Sequence, residues 1–248
     1  KELFYDIFDF NENEKDTVRL SASTLNQLFK DEDYNLKDIR KNKLVKPINI
    51  DLLPKEIKSI ENVKVRKKLF IQIVLPLILE ENKKIKLARK TLFSILNKNN
   101  NSEAEKNWLK SKFKQYGVVN RDLATLKIRM DEIPVSLAIA QAANESAWGT
   151  SRFAKLGNNF FGQWCFSKGC GIVPKSRDTD KNHEVADFRS PADSVESYML
   201  NLNTHDAYKP LRNIRQSLRE DDKAVTGIAL SYGLGKYSER GDEYGKEI

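Results

Sequence analysis

A single glutamate on a helix of small residues is the part of this sequence best suited to acid chemistry. Glu145 shares one helical face with Ala138, Gln141 and Ala142, at the three- and four-residue spacings of an α-helix. Partial burial and the negative end of the helix dipole both oppose ionisation here, so we expect the pKa of Glu145 to be raised. A carboxyl that stays protonated near neutral pH is suited to act as a general acid.

The helix that carries Glu145 has start and stop signals in the sequence. Asp131 and Glu132 place acidic side chains near its expected beginning, and Pro134 suits the first turn. Gly149 is typical of a residue that follows a helix end. Glu145 is therefore expected in the last turn.

Composition indicates a globular chain with a basic surface. Its 248 residues are 40% hydrophobic, which is enough for one large or two small domains. The formal charge of +8 is compatible with an ordinary solvated surface or with attraction to a polyanion, such as nucleic acid, an anionic membrane or an acidic cell-wall polymer. The sequence has no helix-turn-helix, zinc-finger or RNA-binding signature, so nucleic acid is not the expected partner.

Neither a membrane span nor a metal or cofactor site is expected. The longest apolar run, Leu69 to Leu79, is interrupted by Gln72 and Pro76, and it is far shorter than the roughly 20 residues that cross a bilayer. This run is better explained as a core helix. His183 and His205 lack the spacing of metal ligands.

The two cysteines favour a small disulfide. Cys165 and Cys170 are separated by four residues, whereas redox pairs usually have two, and a metal site would need more ligands. A disulfide that staples a hairpin turn is favoured over free thiols, and it would indicate an oxidising compartment.

Hydrophobic periodicity predicts a mainly α (α+β) chain in three parts: a polar N-terminal arm over residues 1–60, a helical subdomain over 61–117 and a domain over 118–248 that contains Glu145. In the arm, a short helix is expected over Ser23 to Phe29. The subdomain is expected to contain a helix over Val63 to Leu79 that bends or breaks at Pro76, a second one over Ile85 to Ile95, and a third that begins with a Ser102–Glu105 capping box.

The last part combines further helices with a small sheet. Asn120 is expected to cap a helix before the one that carries Glu145, and Ser190 to cap a later one. Glycines, aromatic residues and β-branched pairs between them predict short strands at Gln163 to Phe166, Gly171 to Val173 and Val185 to Phe188.

The segment from Ala140 to Gly149 resembles the catalytic-helix motif of the bacterial glucosaminidase family, which includes the flagellar peptidoglycan hydrolase. The similarity continues through the turn Gly157 to Gly162, through Asp187 to Ser190, and into the helix Ser194 to Asn203. Other segments are most similar to the Bax-type envelope proteins of Gram-negative bacteria: the loop between the cysteines, Asn201 to His205, and Lys236 to Ser238.

This resemblance implies a lysozyme-like helical domain with a small β-hairpin or sheet, preceded by a helical N-terminal region. It implies cleavage of the β-1,4 bond after N-acetylglucosamine in peptidoglycan, with Glu145 as the general acid that protonates the glycosidic oxygen. The expected protein is an exported monomer of the periplasm or cell envelope, without a cofactor. Because the sequence begins with Lys1 rather than Met, we expect a processed or trimmed product whose signal peptide is not part of this sequence.

The second carboxylate of such a mechanism is less well defined. Family members often carry it on the hairpin after the catalytic helix, where this chain offers Asp178, Asp180, Glu184 and Asp187. Glu184, at the start of the returning strand, is the preferred candidate, and an exposed structural role remains its alternative. If none of these acids reaches the sugar, the acetamido group of the substrate could stabilise the reacting carbon instead.

Aromatic residues are expected to line a sugar groove, because their faces cover the apolar faces of pyranose rings. Phe161 and Trp148 have a second interpretation as core supports of the catalytic helix. Ser146 is expected either to orient Glu145 or to close the helix end, and it is also a candidate substrate-binding residue. The candidate groove aromatics are Trp148, Phe161, Trp164, Tyr208, Tyr237 and Tyr244.

Two other functions compete with the hydrolase. A lytic transglycosylase also uses one glutamate, but it closes an anhydro ring on muramic acid without water. A non-catalytic wall-binding or scaffold module would keep the groove without turnover, and the polar arm is compatible with such a docking role.

Overall fold

The computed structural model describes residues 19–46, 48, 50, 52–175 and 182–248. Helices dominate these ranges, and a small antiparallel sheet accompanies them, so the predicted mainly α class is confirmed. The elements are α1 (Ala22–Asp31), α2 (Leu36–Asn42), α3 (Val63–Leu96), α4 (Glu103–Gln115), α5 (Leu123–Arg129), α6 (Val135–Glu145), α7 (Arg152–Gly157), β1 (Trp164–Cys165), β2 (Gly171–Ile172), β3 (Glu184–Ala186), α8 (Pro191–Thr204), α9 (Lys209–Glu220), α10 (Gly227–Ser231) and α11 (Asp242–Glu247).

The predicted break at Pro76 is wrong, because α3 runs through it as one helix of 34 residues. Proline has no N–H to donate, so the carbonyl of Gln72 loses its partner one turn away. The hydroxyl of Tyr34, from the N-terminal region, donates to this carbonyl at 2.9 Å, and the side chain of Gln72 donates to the carbonyl of Tyr34 at 2.8 Å. The arm therefore satisfies the carbonyl that proline leaves unpaired.

Most helix starts follow the sequence signals. α1 covers the helix predicted in the arm, the Ser102–Glu105 capping box begins α4, and Ser190 caps α8. The predicted Asn120 cap is wrong. Asp122 caps α5 instead, and its carboxylate accepts hydrogen bonds from the backbone N–H groups of the first turn. The short helix α7 was not predicted.

The sheet has the order β1-β3-β2, with both pairs antiparallel. Strands lie at all three predicted places, although each is shorter than expected. Trp164 pairs with Val185, and Gly171 pairs with Ala186. A Cβ at Gly171 would lie 2.0 Å from the carbonyl oxygen of Val185, so the close approach of β2 to β3 requires glycine.

The arm, α3 and the C-terminal elements share one hydrophobic core. Its buried members include Leu25 and Ile57 from the N-terminal region, Phe70 from α3, and Phe161 and Leu230 from the last part. Helix α3 packs against both α6 and α8. The division at residues 60 and 117 therefore stays a prediction. Within the described part of the chain, no helix combines the length and apolarity needed to cross a bilayer.

Candidate active site

The helix that carries Glu145 begins later and ends earlier than the sequence suggested. It begins at Val135, because Pro134 is extended at the N-cap position and disfavours helical geometry in the residue before it. It ends at Glu145, and the next turn contains three successive residues with positive φ: Ala147 at 50°, Trp148 at 59° and Gly149 at 77°. Glu145 is therefore the last helical residue, at the negative end of the helix dipole.

Ser146 closes this helix end. Its hydroxyl donates to the carbonyl of Ala142 at 2.6 Å and accepts from the N–H of Gly149 at 2.8 Å. The side chain is fully buried. Of its two predicted roles, the structure shows the closing one, and the hydroxyl is not exposed for the substrate contact that the sequence suggested.

The rings of Trp148 and Phe70 pack together and hold the turn that follows α6 against α3. Their rings meet edge to face with centroids 6.0 Å apart, and the ammonium group of Lys67 lies 4.4 Å from the Trp148 ring centre. A Cβ at Gly149 would lie 2.9 Å from the Phe70 ring, which explains the need for glycine at this positive φ. These contacts fix the end of α6 on α3.

Glu145 is partly buried, and its shortest hydrogen bond comes from the hydroxyl of Tyr244. Tyr244 donates to Oε1 at 2.8 Å, and the side-chain amide of Asn144 lies 3.4 Å from the same oxygen. Burial raises the pKa of Glu145, although these two hydrogen bonds and the charge of Arg240 oppose the rise. The direction agrees with the sequence prediction, and it favours the protonated acid.

A buried chain of hydrogen bonds fixes the partner of Glu145. Tyr198 donates to Gln141 Oε1 at 2.6 Å, and Gln141 Nε2 donates to the hydroxyl of Tyr244 at 3.0 Å. Because the Tyr244 oxygen accepts from Gln141, its own proton points to Glu145. These hydrogen bonds connect α6, α8 and α11, so residues of three helices together orient Oε1 of Glu145.

The second carboxylate oxygen of Glu145 lies beside Gly162. A Cβ at Gly162, where φ is 65°, would lie 3.4 Å from Oε2. The buried side chain of Asn159 shapes this turn, since its oxygen accepts from the N–H of Phe161 at 3.3 Å and of Gln163 at 3.1 Å. Because glycine has no Cβ, residue 162 places no side chain against Oε2.

The predicted groove aromatics divide into two groups. Phe161 and Tyr244 are almost fully buried, and Phe161 stacks on Tyr198 with centroids 3.8 Å apart. Tyr237 is partly buried; it stacks on Tyr244 at 5.4 Å and donates to the carbonyl of Phe161 at 2.9 Å. These residues form the support of Glu145. Trp164, by contrast, is 57% exposed and stacks on His183 at 4.1 Å.

The disulfide between Cys165 and Cys170 is present, and Glu184 lies against it. Glu184 is only 5% exposed, and its two carboxylate oxygens accept from the N–H groups of Gly169 at 3.1 Å and Gly171 at 2.8 Å. This carboxylate therefore holds the loop that the disulfide closes. Asp187 is exposed, while Asp178 and Asp180 lie outside the described residues.

A comparison with protein families decides the affiliation of the chain. The family model Glucosaminidase, described as "Mannosyl-glycoprotein endo-beta-N-acetylglucosaminidase", matches residues 122–246, which is half of the sequence. The chain belongs to the glucosaminidase family. The match confirms the predicted family, and it includes Glu145, Gly162 and Tyr244. This glucosaminidase is therefore a member of a glycosidase family whose activity concerns N-acetylglucosamine.

A curated relative extends the similarity beyond the matched domain. Protein bax of Escherichia coli (strain K12) is 38% identical over 185 residues, which cover 72% of this chain and 66% of the relative. The glucosaminidase thus spans slightly less than two thirds of that protein. No solved structure matches the chain, so the lysozyme-like fold stays a prediction.

Proposed function

We propose that this glucosaminidase is a peptidoglycan hydrolase, an endo-β-N-acetylglucosaminidase that uses Glu145 as its general acid. The observation that carries the proposal is the environment of this carboxyl. Burial raises its pKa, Tyr244 fixes Oε1 at 2.8 Å, and Gly162 places no side chain against Oε2. Among the described residues, the hydrogen bonds that this carboxyl accepts go to Oε1, and we assign Oε2 to carry and deliver the proton.

In the proposed reaction, Oε2 of Glu145 donates its proton to the glycosidic oxygen after N-acetylglucosamine. The bond between that oxygen and the anomeric carbon breaks as oxocarbenium character develops in the sugar. Water then adds to the anomeric carbon and returns a proton to the carboxylate. The bond that Tyr244 donates to Oε1 stabilises the negative charge that Glu145 acquires during the transfer.

Glu184 was the preferred second acid, and its surroundings favour a different role. Two backbone N–H groups occupy its carboxylate, and the side chain is buried under the disulfide loop. We assign Glu184 to positioning this loop, and we assign the stabilisation of the anomeric carbon to the acetamido group of the substrate. Replacement of Glu184 by Gln should weaken the loop and retain most of the catalytic rate, whereas loss of activity matching that of Glu145→Gln would restore the catalytic assignment.

The proposed substrate agrees with two further properties of the chain. The basic surface, with a formal charge of +8, attracts a polymer whose peptides carry carboxylates. The Cys165–Cys170 disulfide is compatible with an exported protein of the periplasm or cell envelope. Trp164, exposed on β1, is the aromatic residue that we assign to sugar contact.

Digestion of purified sacculi followed by mass spectrometry of the products tests the proposal. Fragments with N-acetylglucosamine at the reducing end, absent with Glu145→Gln, are expected. Products with anhydro-muramic ends would show that the protein is a lytic transglycosylase rather than a hydrolase. Binding to sacculi without released fragments, unchanged by Glu145→Gln, would indicate the non-catalytic wall-binding module.

A second assay tests the substrate that the family description names, a mannosyl-glycoprotein, against the wall polymer. A high-mannose glycoprotein incubated under the same conditions should remain intact. Release of its glycans, with sacculi left uncut, would contradict the peptidoglycan assignment while keeping the glycosidase.

A further inference from the structure

A cavity lined by basic side chains lies near the other end of α6. It measures about 590 Å³ and is bordered by α3, α5, α9 and the residues that precede α6. Six cationic side chains line it, against three acidic ones, Asp131, Glu132 and Glu220. The cationic residues are Lys86, Arg89, Lys90, Lys127, Arg215 and Arg219.

The floor of the cavity is a buried carboxylate surrounded by three guanidinium groups. Arg219 binds Asp131 with two hydrogen bonds, at 3.1 and 2.9 Å, and Arg89 and Arg215 each lie 3.7 Å from Oδ2. The side chains of Asp131 and Arg215 are 4% and 1% exposed. Asp131 thus faces three positive charges where solvent screening is weak, and the partly exposed Glu132, 4.0 Å from Arg219, adds a second negative charge.

Backbone carbonyls occupy several donors of each of the two inner arginines. Arg215 donates to the carbonyls of Ile128, Asp131 and Glu132, and Arg89 donates to those of Lys127 and Met130. These arginines therefore act as fixed positive charges rather than as direct ligands. Their crowding is also visible in the pKa of Arg215, which burial and neighbouring arginines lower to about 10 despite the charge of Asp131.

The rim supplies flexible donors. Lys86, Lys90 and Lys127 are exposed, and the ammonium of Lys127 lies 5.8 Å from the ring centre of Phe93. In the described part of the chain, no ion pair is recorded for these three lysines, whereas Glu220 is engaged with Gln216 at 2.8 Å. An anionic group entering the cavity would meet three exposed ammonium groups at the rim and, below them, three guanidinium groups that outnumber the carboxylates of Asp131 and Glu132.

We propose that this cavity binds the peptide carboxylates of peptidoglycan and so gives the polymer a second attachment point, remote from Glu145. This inference rests on the proposed function. Asp131 lies before the first residue of α6 and Glu145 is its last, so the two sites are separated by about 16 Å of helix. A polymer that presents carboxylates along its length can occupy both sites at once, and the second contact raises the effective concentration of the first.

Sedimentation with sacculi in the Glu145→Gln background tests this inference without cutting the polymer. The triple variant Lys86→Ala/Lys90→Ala/Lys127→Ala should bind about tenfold more weakly, the sum of three exposed ion pairs of ordinary strength. The matched control Lys64→Ala/Lys110→Ala/Lys114→Ala removes the same charge from exposed lysines outside the cavity and should change binding much less. Conversion of the three rim lysines to arginine should retain binding.

Sacculi whose carboxylates have been amidated identify the ligand. On them, the rim variant and its parent should bind equally and weakly. Equal binding of both to untreated sacculi, an equal loss in the matched control, or a persistent difference on amidated sacculi would each overturn the inference. Because the readout is binding, a chain that cuts nothing but shows the expected pattern would retain the cavity site and refute only the hydrolase.

Discussion

Two carboxyls near the opposite ends of α6, one partly and one fully buried, have pKa values that move in opposite directions. Burial raises the pKa of Glu145, at the C-terminal end. Burial also acts to raise the pKa of Asp131, just before the N-terminal end, but hydrogen bonds from Arg219 and the charges of Arg215 and Arg89 outweigh it and lower the pKa. The surroundings of this helix therefore favour the protonated form of one acid and the ionised form of the other.

The difference lies in the partners rather than in the depth of burial. Glu145 faces the neutral hydroxyl of Tyr244, which stabilises either protonation state at moderate strength. Asp131 faces three permanent positive charges. An acid that must give up a proton needs the first environment, and an acid that must hold elements together needs the second.

The largest expected effect separates the two acids by activity. Glu145→Gln should lower the rate of sacculus digestion by about a thousandfold, because the amide cannot supply the proton. Asp131→Asn, assayed at a temperature where it is folded, should stay within a few-fold of the parent. Equal losses in both variants would show that Glu145 acts through structure alone.

The second effect separates them by stability. Asp131→Asn should lower the free energy of unfolding by about 3 kcal/mol, since it leaves three guanidinium groups without their anion. Urea unfolding measures the change, and Glu132→Gln, whose carboxylate lies 4.0 Å from Arg219 and is 31% exposed, is the milder control.

The pH dependence of this stability has a definite sign. The pKa of Asp131 is lowered by folding, so its contribution is fully present above the unfolded pKa, about 3.9, and is lost as pH falls through the lower folded value. The Asp131→Asn variant should lack this part of the acid dependence. Identical acid profiles for variant and parent would remove Asp131 from the account.

A smaller effect concerns the position of the pH–rate profile. The bond from Tyr244 favours ionised Glu145, so Tyr244→Phe should raise the pKa further and move the alkaline limb to higher pH. The rate at the optimum should fall about tenfold through poorer orientation. Tyr237→Phe removes a hydroxyl bonded to the Phe161 carbonyl, and its limb should stay in place. A limb that does not move in Tyr244→Phe would refute the assignment.

The smallest expected effect is on stability, at a hydrogen bond remote from both acids. Tyr34→Phe should cost about 1 kcal/mol of stability, because the Gln72 carbonyl opposite Pro76 loses its donor. The same change in a Pro76→Ala background should cost less, since alanine restores the helical N–H at that place. A double-mutant cycle by urea unfolding measures the coupling, and additive costs would contradict the repair.

Local signals predicted much of the fold. The Ser102–Glu105 capping box, the Ser190 cap and the three strand positions each depend on residues close in sequence. The predicted break at Pro76 was wrong because the continuity of α3 there depends on a residue that is distant in the sequence. The hydroxyl that satisfies the unpaired carbonyl comes from Tyr34, far away in the sequence, and no periodicity reports it.

The site shows the same limit. Glu145 is visible as an acid on a small-residue face, and Gly162 belongs to a turn that the family resemblance singled out. The chain from Tyr198 through Gln141 to Tyr244 was not predicted, because it joins residues of three separate helices. Asp131 was interpreted as a helix-start residue, whereas its arginine partners come from α3 and α9.

Carboxyl NMR of protein labelled at Glu and Asp tests the central claim most directly. Resonances assigned by their loss in Glu145→Gln and Asp131→Asn can be followed from acid to neutral pH in the folded state. Glu145 should titrate above its ordinary value of 4.5, and Asp131 below its ordinary value of 3.8. A Glu145 resonance that titrates at or below 4.5 would contradict the account, because the proposed acid would then be ionised before it could act.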